Sequence, residues 1–314
     1  MLAGAGPGPE PVALLLETGL LAIAALLGVM KAGKFYALLD TAFPQARLTT
    51  MLDDIQPRLL LTDTHHLPLA QTLTTGTCPV LNLDETLEPG VPLDNPGLVL
   101  GPDLLGEIAY TSGSTGRPKG VLQNHRSILH DCMRMTNVLH LRATDRITLF
   151  ASLNTGQGRS TMYRTLLNGA TLYPWPMKQE GVSHLAAWLQ EEAMSIYFSS
   201  ATVFRAFVQT LTGRETFPSL RLMRIGGETV SPHDVELYKA HFPPTCLLCN
   251  SLASTETNTT CLYLLDHETP ITGNSVPVGY AVEGVEVLLL DAHGSAVGHK
   301  QAGEIVIKSR YLSP

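Results

Sequence analysis

The sequence is poor in charged and aromatic side chains: Asp, Glu, Lys and Arg together make up 16% of its 314 residues, and Phe, Trp and Tyr make up 6%. Acidic residues outnumber basic ones by 28 to 21, so the formal net charge is -7. A nucleic-acid-binding protein usually carries a basic surplus or a cluster of Lys and Arg. The sequence has neither, so we expect no nucleic-acid partner, and local amides and a few cations must hold any anionic ligand.

Cysteine is scarce as well, and the number and spacing of the cysteines argue against a fold that disulfides or a bound zinc ion hold together. The five cysteines are an odd number in a chain long enough to bury a large core, so no disulfide framework is expected. Cys246 and Cys249 have the CxxC spacing, but a zinc site needs a second pair of ligands at suitable spacing, and the sequence offers none. We therefore predict that both are buried thiols on a strand.

The sequence also lacks a long uninterrupted apolar run. Its most apolar segment, residues 12–30, is near the minimum length for a membrane span and is broken by Glu-Thr-Gly at residues 17–19. No positive residue precedes this segment, as a signal peptide would require. A strand from Val12 to Leu16, a cap at Thr18 and a helix to Lys31 fit the pattern better. We expect a cytoplasmic protein with no membrane partner.

Apolar residues are abundant, at 44% of the total, and Gly and Pro punctuate them at regular intervals. Short apolar runs alternate with segments of helical spacing, which is typical of parallel strands joined by helices. We predict an α/β fold of mainly parallel sheets covered by helices. The predicted strands are residues 58–61, 80–83, 147–151, 196–198, 220–225 and 246–249, and further predicted helices begin near Pro44, Ser160, Ser183 and Ser231, the last two capped by those serines.

The pattern changes near residue 270. Two predicted strands, residues 284–290 and 304–308, then follow each other with no helical segment between them. We divide the chain into a flexible segment over residues 1–10, an α/β core over residues 11–270 and a β-rich part over residues 271–314 that begins a smaller β unit. The sequence stops directly after a strand, so we expect this β-rich part to be truncated.

The segment from Ile108 to Val121, IAYTSGSTGRPKGV, has the composition of an anion-binding loop. Two apolar stretches flank small residues, whose backbone N–H groups can turn inward around an anion, and hydroxylated residues add donors. A flexible surface linker is the alternative, but such linkers rarely lie between two apolar strands. The P-loop pattern, which ends in GK[ST], does not fit the spacing. The predicted phosphate-binding residues are Thr111, Ser112, Gly113, Ser114, Thr115, Gly116 and the cationic Lys119.

The run TSGSTGRPKG resembles the phosphate-binding signature of the adenylate-forming superfamily, which includes acyl-CoA synthetases, luciferases and the adenylation domains of nonribosomal peptide synthetases. Further segments resemble other motifs of this family, in the family's order: residues 30–44 (MKAGKFYALLDTAFP), 224–228 (RIGGE), 250–256 (NSLASTE) and 303–307 (GEIVI). The first and last of these are most like a peptide-synthetase adenylation domain. The resemblance implies the large N-terminal domain of the adenylate-forming fold.

The resemblance also implies a reaction, in which ATP activates a carboxylic acid as an acyl-adenylate and pyrophosphate is released. Lys119, Thr255 and Glu256 would be catalytic, with Thr255 near the α-phosphate and Glu256 helping to hold Mg²⁺. The residues implied to border adenine are Gly226, Gly227, Glu228 and Asn250. The acyl acceptor would be a phosphopantetheine thiol on a carrier protein, within the modules of a secondary-metabolic synthetase. Free coenzyme A as acceptor and a catalytically inactive nucleotide-binding module are the alternatives.

The substrate pocket departs from the family pattern. The aspartate that pairs with the α-ammonium in amino-acid-activating members falls at Gly156, and the tyrosine that stacks on adenine falls at Leu252. Because an unpaired buried ammonium is costly, we infer a substrate without a conventional α-ammonium, such as a hydroxy, keto, aryl or β-amino acid. Arg224 either meets a second acid group of the substrate or is paired at the surface. By the family register, the pocket residues are Gly156, Gln157, Ser160, Phe198, Arg224, Ser251 and Thr259.

Parts of the family pattern are missing from the sequence. They are the segment with the ribose-binding aspartate, the hinge, and the small C-terminal lid domain with its catalytic lysine. By the same resemblance, the sequence begins inside the large domain. The isolated polypeptide is therefore expected to be inactive or very slow.

Overall fold

The computed structural model describes residues 8–76, 78–85, 94–112 and 118–314, and it is a mixed α/β structure, which confirms the predicted fold class. Residue contacts divide it into two compact units. The first unit takes in the described residues up to Leu129, with Leu153–Thr155 and Ser313–Pro314, and the second takes in His130–Ser152 and Gly156–Leu312. The predicted boundaries at residues 10 and 270 stay predictions.

The first unit contains a six-stranded sheet in the order β4-β3-β1-β2-β5-β6, in which only the β5–β6 pair of those strands is antiparallel. Its first strands are short and almost wholly apolar, as expected of parallel strands buried on both faces. The strands are β1 (Pro11–Leu15), β2 (Phe35–Leu39), β3 (Leu59–Thr62), β4 (Val80–Asn82), β5 (Leu105–Ser112) and β6 (Pro118–Asn124), and the helices between them are α1 (Leu20–Lys31), α2 (Gln45–Ile55) and α3 (Leu67–Thr74).

The start of α1 differs from the prediction that Thr18 caps it. Gly19 holds the capping position, and no side chain caps the helix. The Thr18 hydroxyl instead accepts a hydrogen bond from the backbone N–H of Leu153, at 3.1 Å. The predicted cap is therefore wrong, because a partner distant in sequence takes the hydroxyl oxygen.

The second unit contains a seven-stranded sheet in the order β13-β12-β11-β10-β9-β7-β8. The run from β11 to β8 is parallel, whereas β12 and β13 are antiparallel to their neighbours. Its strands are β7 (Arg146–Leu149), β8 (Thr171–Pro174), β9 (Ile196–Ser200), β10 (Leu222–Gly226), β11 (Leu247–Ser254), β12 (Asn258–Leu265) and β13 (Tyr280–Ala281). The remaining helices are α4 (His125–Leu139), α5 (Gly156–Leu167), α6 (Met177–Glu180), α7 (Leu185–Glu191), α8 (Ala201–Val208) and α9 (Pro232–His241).

Two predicted helix caps have opposite outcomes in this unit. Ser231 caps α9 as predicted: its hydroxyl accepts from the Asp234 backbone N–H, and the Asp234 carboxylate accepts from the Ser231 backbone N–H, which completes a capping box. The predicted cap at Ser183 is wrong. His184 holds the capping position of α7 without a side-chain bond, because the helix begins one residue later than the serine requires.

Cys249 lies on β11 and Cys246 just before it, and both are buried, which confirms that they are buried thiols. Burial raises the pKa of Cys246 to about 12 and that of Cys249 to about 11, so both remain protonated at neutral pH.

Two further strands, β14 (Glu286–Leu290) and β15 (Glu304–Lys308), form an antiparallel pair of their own, close to the two strands predicted for this region. Within the part of the chain that the structure describes, no helix is both long enough and apolar enough to cross a membrane.

Candidate functional site

The predicted phosphate loop connects β5 and β6. These strands pair in antiparallel register, with Ser112 opposite Pro118 and Thr111 opposite Lys119. Opposed residues of an antiparallel pair project from the same face of the sheet, so Thr111 and Lys119 flank the connection on one side. Thr111 is half-buried and Lys119 is exposed. The predicted Gly113, Ser114, Thr115 and Gly116 lie outside the described residues.

Lys119 borders an open cavity of about 530 Å³ in the first unit. Its lining also includes Asp53, Asp54 and Tyr110. The Tyr110 hydroxyl donates to the Asp54 carboxylate at 2.6 Å, and burial together with Asp54 raises the pKa of Tyr110 far above its ordinary value. Lys119 has no ion-pair partner among the described residues. Its ammonium group therefore remains available to an anionic ligand.

In the second unit, the predicted adenine and substrate residues gather at the carboxyl ends of β10 and β11. Gly226 ends β10, and Gly227 has a φ of 79°, a left-handed conformation that favours glycine in the turn that follows. A Cβ on Gly226 would lie 3.3 Å from the Ser251 hydroxyl oxygen, and a Cβ on Gly227 would lie 4.0 Å from the Gln157 side-chain oxygen. Ligand crevices of open α/β sheets lie at this edge.

The beginning of α5 belongs to the same cluster. A Cβ on Gly156 would meet only the Thr255 hydroxyl, at 3.8 Å, so this position is nearly open. Gly158, two residues farther along the helix, has no such space, because a Cβ there would lie 2.1 Å from the Ser152 carbonyl oxygen. The glycines thus bring α5 tightly against the preceding turn and leave bare backbone beside Thr255. Ser160, farther along α5, is half-buried.

Two of the residues predicted to border adenine hold the surrounding turns in place. The Glu228 carboxylate accepts from the Thr202 backbone N–H at 3.1 Å and from its hydroxyl at 2.6 Å, which ties the glycine turn to the start of α8. The Asn250 amide donates to the carbonyl oxygens of Val276 and Pro277 at 3.2 and 3.0 Å. The structure thus gives both side chains a supporting position, and their contact with adenine stays a prediction.

Thr255 and Glu256 lie in the turn between β11 and β12. A hydroxyl pair, Ser254 and Thr257, closes this turn at 2.9 Å. Thr255 is half-buried, and the Glu256 carboxylate is exposed and has no ion-pair partner among the described residues. An exposed carboxylate beside a hydroxyl offers the hard oxygen donors that Mg²⁺ prefers, so the residues present fit the implied metal.

Arg224 lies inside this cluster and is 8% exposed, so the alternative of a surface-paired strand residue is wrong. Its Nε and Nη2 donate to the Ser251 hydroxyl at 3.1 and 2.9 Å, and Nη2 also donates to the Thr259 hydroxyl at 3.3 Å. Its guanidinium carbon is 5.9 Å from the centre of the Phe198 ring. Burial, and next the neighbouring Arg164, lower the pKa of Arg224 to about 10, which leaves it cationic at neutral pH.

A buried ionic network beside Arg224 was missed from the sequence. Asp131 accepts hydrogen bonds from Arg134 at 2.9 Å and from Arg164 at 2.6 Å, and Arg164 also donates to the Thr259 hydroxyl at 3.1 Å. Burial alone would raise the pKa of Asp131, but the two guanidinium groups outweigh it and hold that pKa below its usual value. The sequence contains one indication that Asp131 is buried: helical spacing places it on the apolar face that also bears Ile128 and Met135.

The whole chain, residues 1–314, matches the family of AMP-binding enzymes. It is 32% identical over 286 residues to surfactin synthase subunit 2 of Bacillus subtilis (strain 168), which covers 90% of this chain but only 8% of that protein. The chain therefore belongs to the AMP-binding enzyme family, with the adenylation regions of nonribosomal peptide synthetases among its relatives.

Solved structures support the same fold. The N-terminal domain of FACL13 from Mycobacterium tuberculosis superposes with a TM-score of 0.86 at 21% identity, covering 99% of this chain and 79% of that one. The anthranilate CoA ligase AuaEII, solved in complex with anthranoyl-AMP, superposes with a TM-score of 0.84 at 21% identity, covering 98% of this chain and 60% of that one. The fold is that of the N-terminal domain of adenylate-forming enzymes, as predicted.

Proposed function

We propose that the protein activates a carboxylic acid with ATP, forming an acyl-adenylate and releasing pyrophosphate. Its membership of the AMP-binding enzyme family supports this reaction. The observation that carries the proposal is that three segments with glycines or a hydroxyl side chain meet at one sheet edge. They are the start of α5 at Gly156, the turn at Gly226 and Gly227, and the turn that bears Thr255. The glycines lack side chains there, so a ligand can approach backbone and hydroxyl groups closely, as a nucleotide pocket requires.

The proposed reaction requires little proton transfer from the protein. A carboxylate is ionised at neutral pH, so its oxygen attacks the α-phosphorus directly, and the bond from that phosphorus to the pyrophosphate oxygen breaks. Lys119, with the hydroxyl and amide groups of the β5–β6 connection, would hold the phosphates. Catalysis of this kind depends on positioning and on electrostatic stabilisation of the charge that develops in the transition state.

We assign Glu256 and Thr255 to the Mg²⁺ site. The ion would neutralise phosphate charge and so favour the departure of pyrophosphate. Both residues lie in the β11–β12 turn that the Ser254–Thr257 hydroxyl pair closes, and Glu256 is exposed and forms no ion pair with the described residues, which leaves its carboxylate oxygens free to coordinate. Adenine would rest on the glycine turn at Gly227, over Leu252 instead of an aromatic ring.

The acceptor we favour is the phosphopantetheine thiol of a carrier protein, within a cytoplasmic assembly of secondary metabolism. The relation to surfactin synthase subunit 2 supports it. Free coenzyme A is the second candidate, because AuaEII, which shares the fold, is named as a CoA ligase. Incubating the protein with ATP, its acid and either coenzyme A or a pantetheinylated carrier protein, and identifying the thioester by mass spectrometry, distinguishes the two acceptors.

The reaction is tested by ATP–pyrophosphate exchange with single substitutions in the full-length protein. Lys119→Ala and Glu256→Ala should each lower the exchange rate at least about 100-fold, since one lost donor in such a site costs a factor of this order. Both side chains are exposed, so the variants should remain folded. Lys178→Ala and Glu268→Ala remove the same charges from other exposed positions and should leave exchange unchanged. Unchanged exchange in both site variants would remove these assignments.

A further inference from the structure

The buried charges near the substrate pocket do not balance. Three guanidinium groups, those of Arg134, Arg164 and Arg224, lie in one network with a single carboxylate, Asp131. The side chains of Asp131, Arg134 and Arg164 are 4%, 2% and 1% exposed. Among the described residues, hydrogen bonds thus join three guanidinium groups to one carboxylate, an excess of two positive charges in this network. Burying such charges is costly unless something pairs with them.

The hydrogen bonds show where the excess lies. Asp131 is shared by Arg134 and Arg164, whereas Arg224 donates only to the neutral hydroxyl groups of Ser251 and Thr259 among the described residues. Nη1 of Arg164 is buried and has no hydrogen-bond partner among those residues. Arg164 and Arg224 both donate to the same Thr259 oxygen, so two cations face each other across one hydroxyl.

Among the described residues, no carboxylate other than that of Asp131 forms an ion pair with these guanidinium groups. The Cys249 thiol stays protonated at neutral pH, because burial raises its pKa to about 11. Burial and then Arg134 lower the pKa of His130, and the carboxylate of Glu283 partly opposes this shift. The network thus retains donors and positive charge that no carboxylate of the described residues takes up.

Arg224 adjoins the residues of the proposed reaction site through Ser251. The Ser251 hydroxyl accepts two of the three Arg224 hydrogen bonds and lies 3.3 Å from the position of a Cβ on Gly226, at the end of β10. Arg224 is two residues before Gly226 on the same strand, a separation of about 7 Å. A short acid whose reacting carboxylate lies at this edge would therefore bring its far end to Arg224.

We propose, on the basis of the function proposed above, that the substrate is a short dicarboxylic acid without an α-ammonium group. Its second carboxylate accepts the guanidinium hydrogen bonds of Arg224 and compensates the charge of the Arg164–Arg224 pair. Guanidinium and carboxylate match in planar, two-bonded geometry. An ammonium group would meet net positive charge here, and at Gly156 it would find a hydroxyl neighbour instead of a carboxylate.

The test compares matched acids in pyrophosphate exchange on the full-length protein. Succinate and glutarate should exceed their monoamides, which have nearly the same shape, by at least about 30-fold in kcat/KM, the size expected for losing one partner of a buried charged pair. Glutamate should be poorer than glutarate. A sulfonate analogue of glutarate is included as a second anion, and activity with it equal to or above that with glutarate would overturn the assignment to a dicarboxylate.

Variants then test whether Arg224 causes the preference for the diacid over its monoamide. Arg224→Gln should reduce the ratio of diacid to monoamide to near one, and Arg224→Lys should retain part of it. Arg221→Gln is the matched control, because Arg221 precedes the same strand but pairs with Asp145 at 2.6 Å, and the ratio should not change. An unchanged ratio in Arg224→Gln, or no preference in the unaltered protein, overturns the proposal. A purely structural Arg224 would instead make Arg224→Gln unstable, whereas removing an uncompensated charge should leave the unfolding midpoint unchanged or higher.

A binding measurement separates failure of this inference from failure of the proposed function. In thermal unfolding without ATP, glutarate should stabilise the unaltered protein more than its monoamide does, and Arg224→Gln should abolish the difference. If no acid supports exchange but this difference is seen, the dicarboxylate subsite stands and the adenylation reaction is refuted. If glutarate and the monoamide behave alike in unfolding, the inference fails whatever the exchange assay shows.

Discussion

Asp131 and Arg224 belong to one buried network but have opposite relations to it. Asp131 accepts from two guanidinium groups, so removing its charge leaves Arg134 and Arg164 unpaired in the core. Arg224 has only hydroxyl partners among the described residues, so removing its charge relieves an imbalance. Burial alone does not distinguish a charged residue that stabilises the fold from one that is available to bind a ligand. The number of oppositely charged partners around the residue does distinguish them.

We expect Asp131→Asn to destabilise the protein at neutral pH by about 3–5 kcal/mol, as when one partner of a buried ion pair is lost. Because the folded protein holds the pKa of Asp131 below its unfolded value, the stabilisation is fully present above about pH 4 and is lost as the pH falls through the folded pKa. Urea unfolding at pH 7 and at a series of acidic pH values measures this.

Asp103→Asn is the control for that measurement. It removes a carboxylate whose partner, Arg126, is on the surface, with the two side chains 74% and 38% exposed. Its unfolding midpoint should match that of the unaltered protein at pH 7. Equal midpoints for Asp131→Asn and Asp103→Asn would contradict the importance of the buried network.

At the scale of helices and strands, the apolar runs predicted the sheets well because parallel strands buried on both faces must be apolar. Val80–Asn82 and Ile196–Ser200, for example, lie where the sequence predicts strands. Helix caps were less predictable. A serine or threonine caps a helix only if its hydroxyl is not bonded elsewhere and if the helix begins at the residue after it, and neither condition can be read from a short segment.

The two serines predicted as caps form a matched pair for experiment. Ser231→Ala should cost about 1 kcal/mol, because it leaves the first turn of α9 without its capping acceptor. Ser183→Ala should have no measurable effect, since Ser183 is exposed and does not cap α7. The two unfolding free energies are compared in urea. A loss in Ser183→Ala as large as that in Ser231→Ala would contradict the helix starts described above.

For the whole molecule, the order of motifs along the chain predicted the family and the fold class, which the family match and the superposed structures confirm. It did not predict how single side chains are used. Glu228 and Asn250, whose contact with adenine stays a prediction, also support neighbouring turns through contacts with residues 26 positions away in the chain, which their motifs did not indicate. The buried network was missed because its members are spread over α4, α5, β10 and β12.

Binding of Mg-ATP should stabilise the whole chain even where turnover is slow. A ligand that binds only the folded state raises the unfolding free energy by about 2.7 kcal/mol at a concentration 100 times its Kd. Differential scanning fluorimetry should therefore show a midpoint that rises with the Mg-ATP concentration. Lys119→Ala should reduce this rise without changing the midpoint of the ligand-free protein, because the ammonium is exposed and forms no ion pair with the described residues. Lys178→Ala should keep the full rise, and an equal rise in all three proteins would show that the nucleotide does not use Lys119.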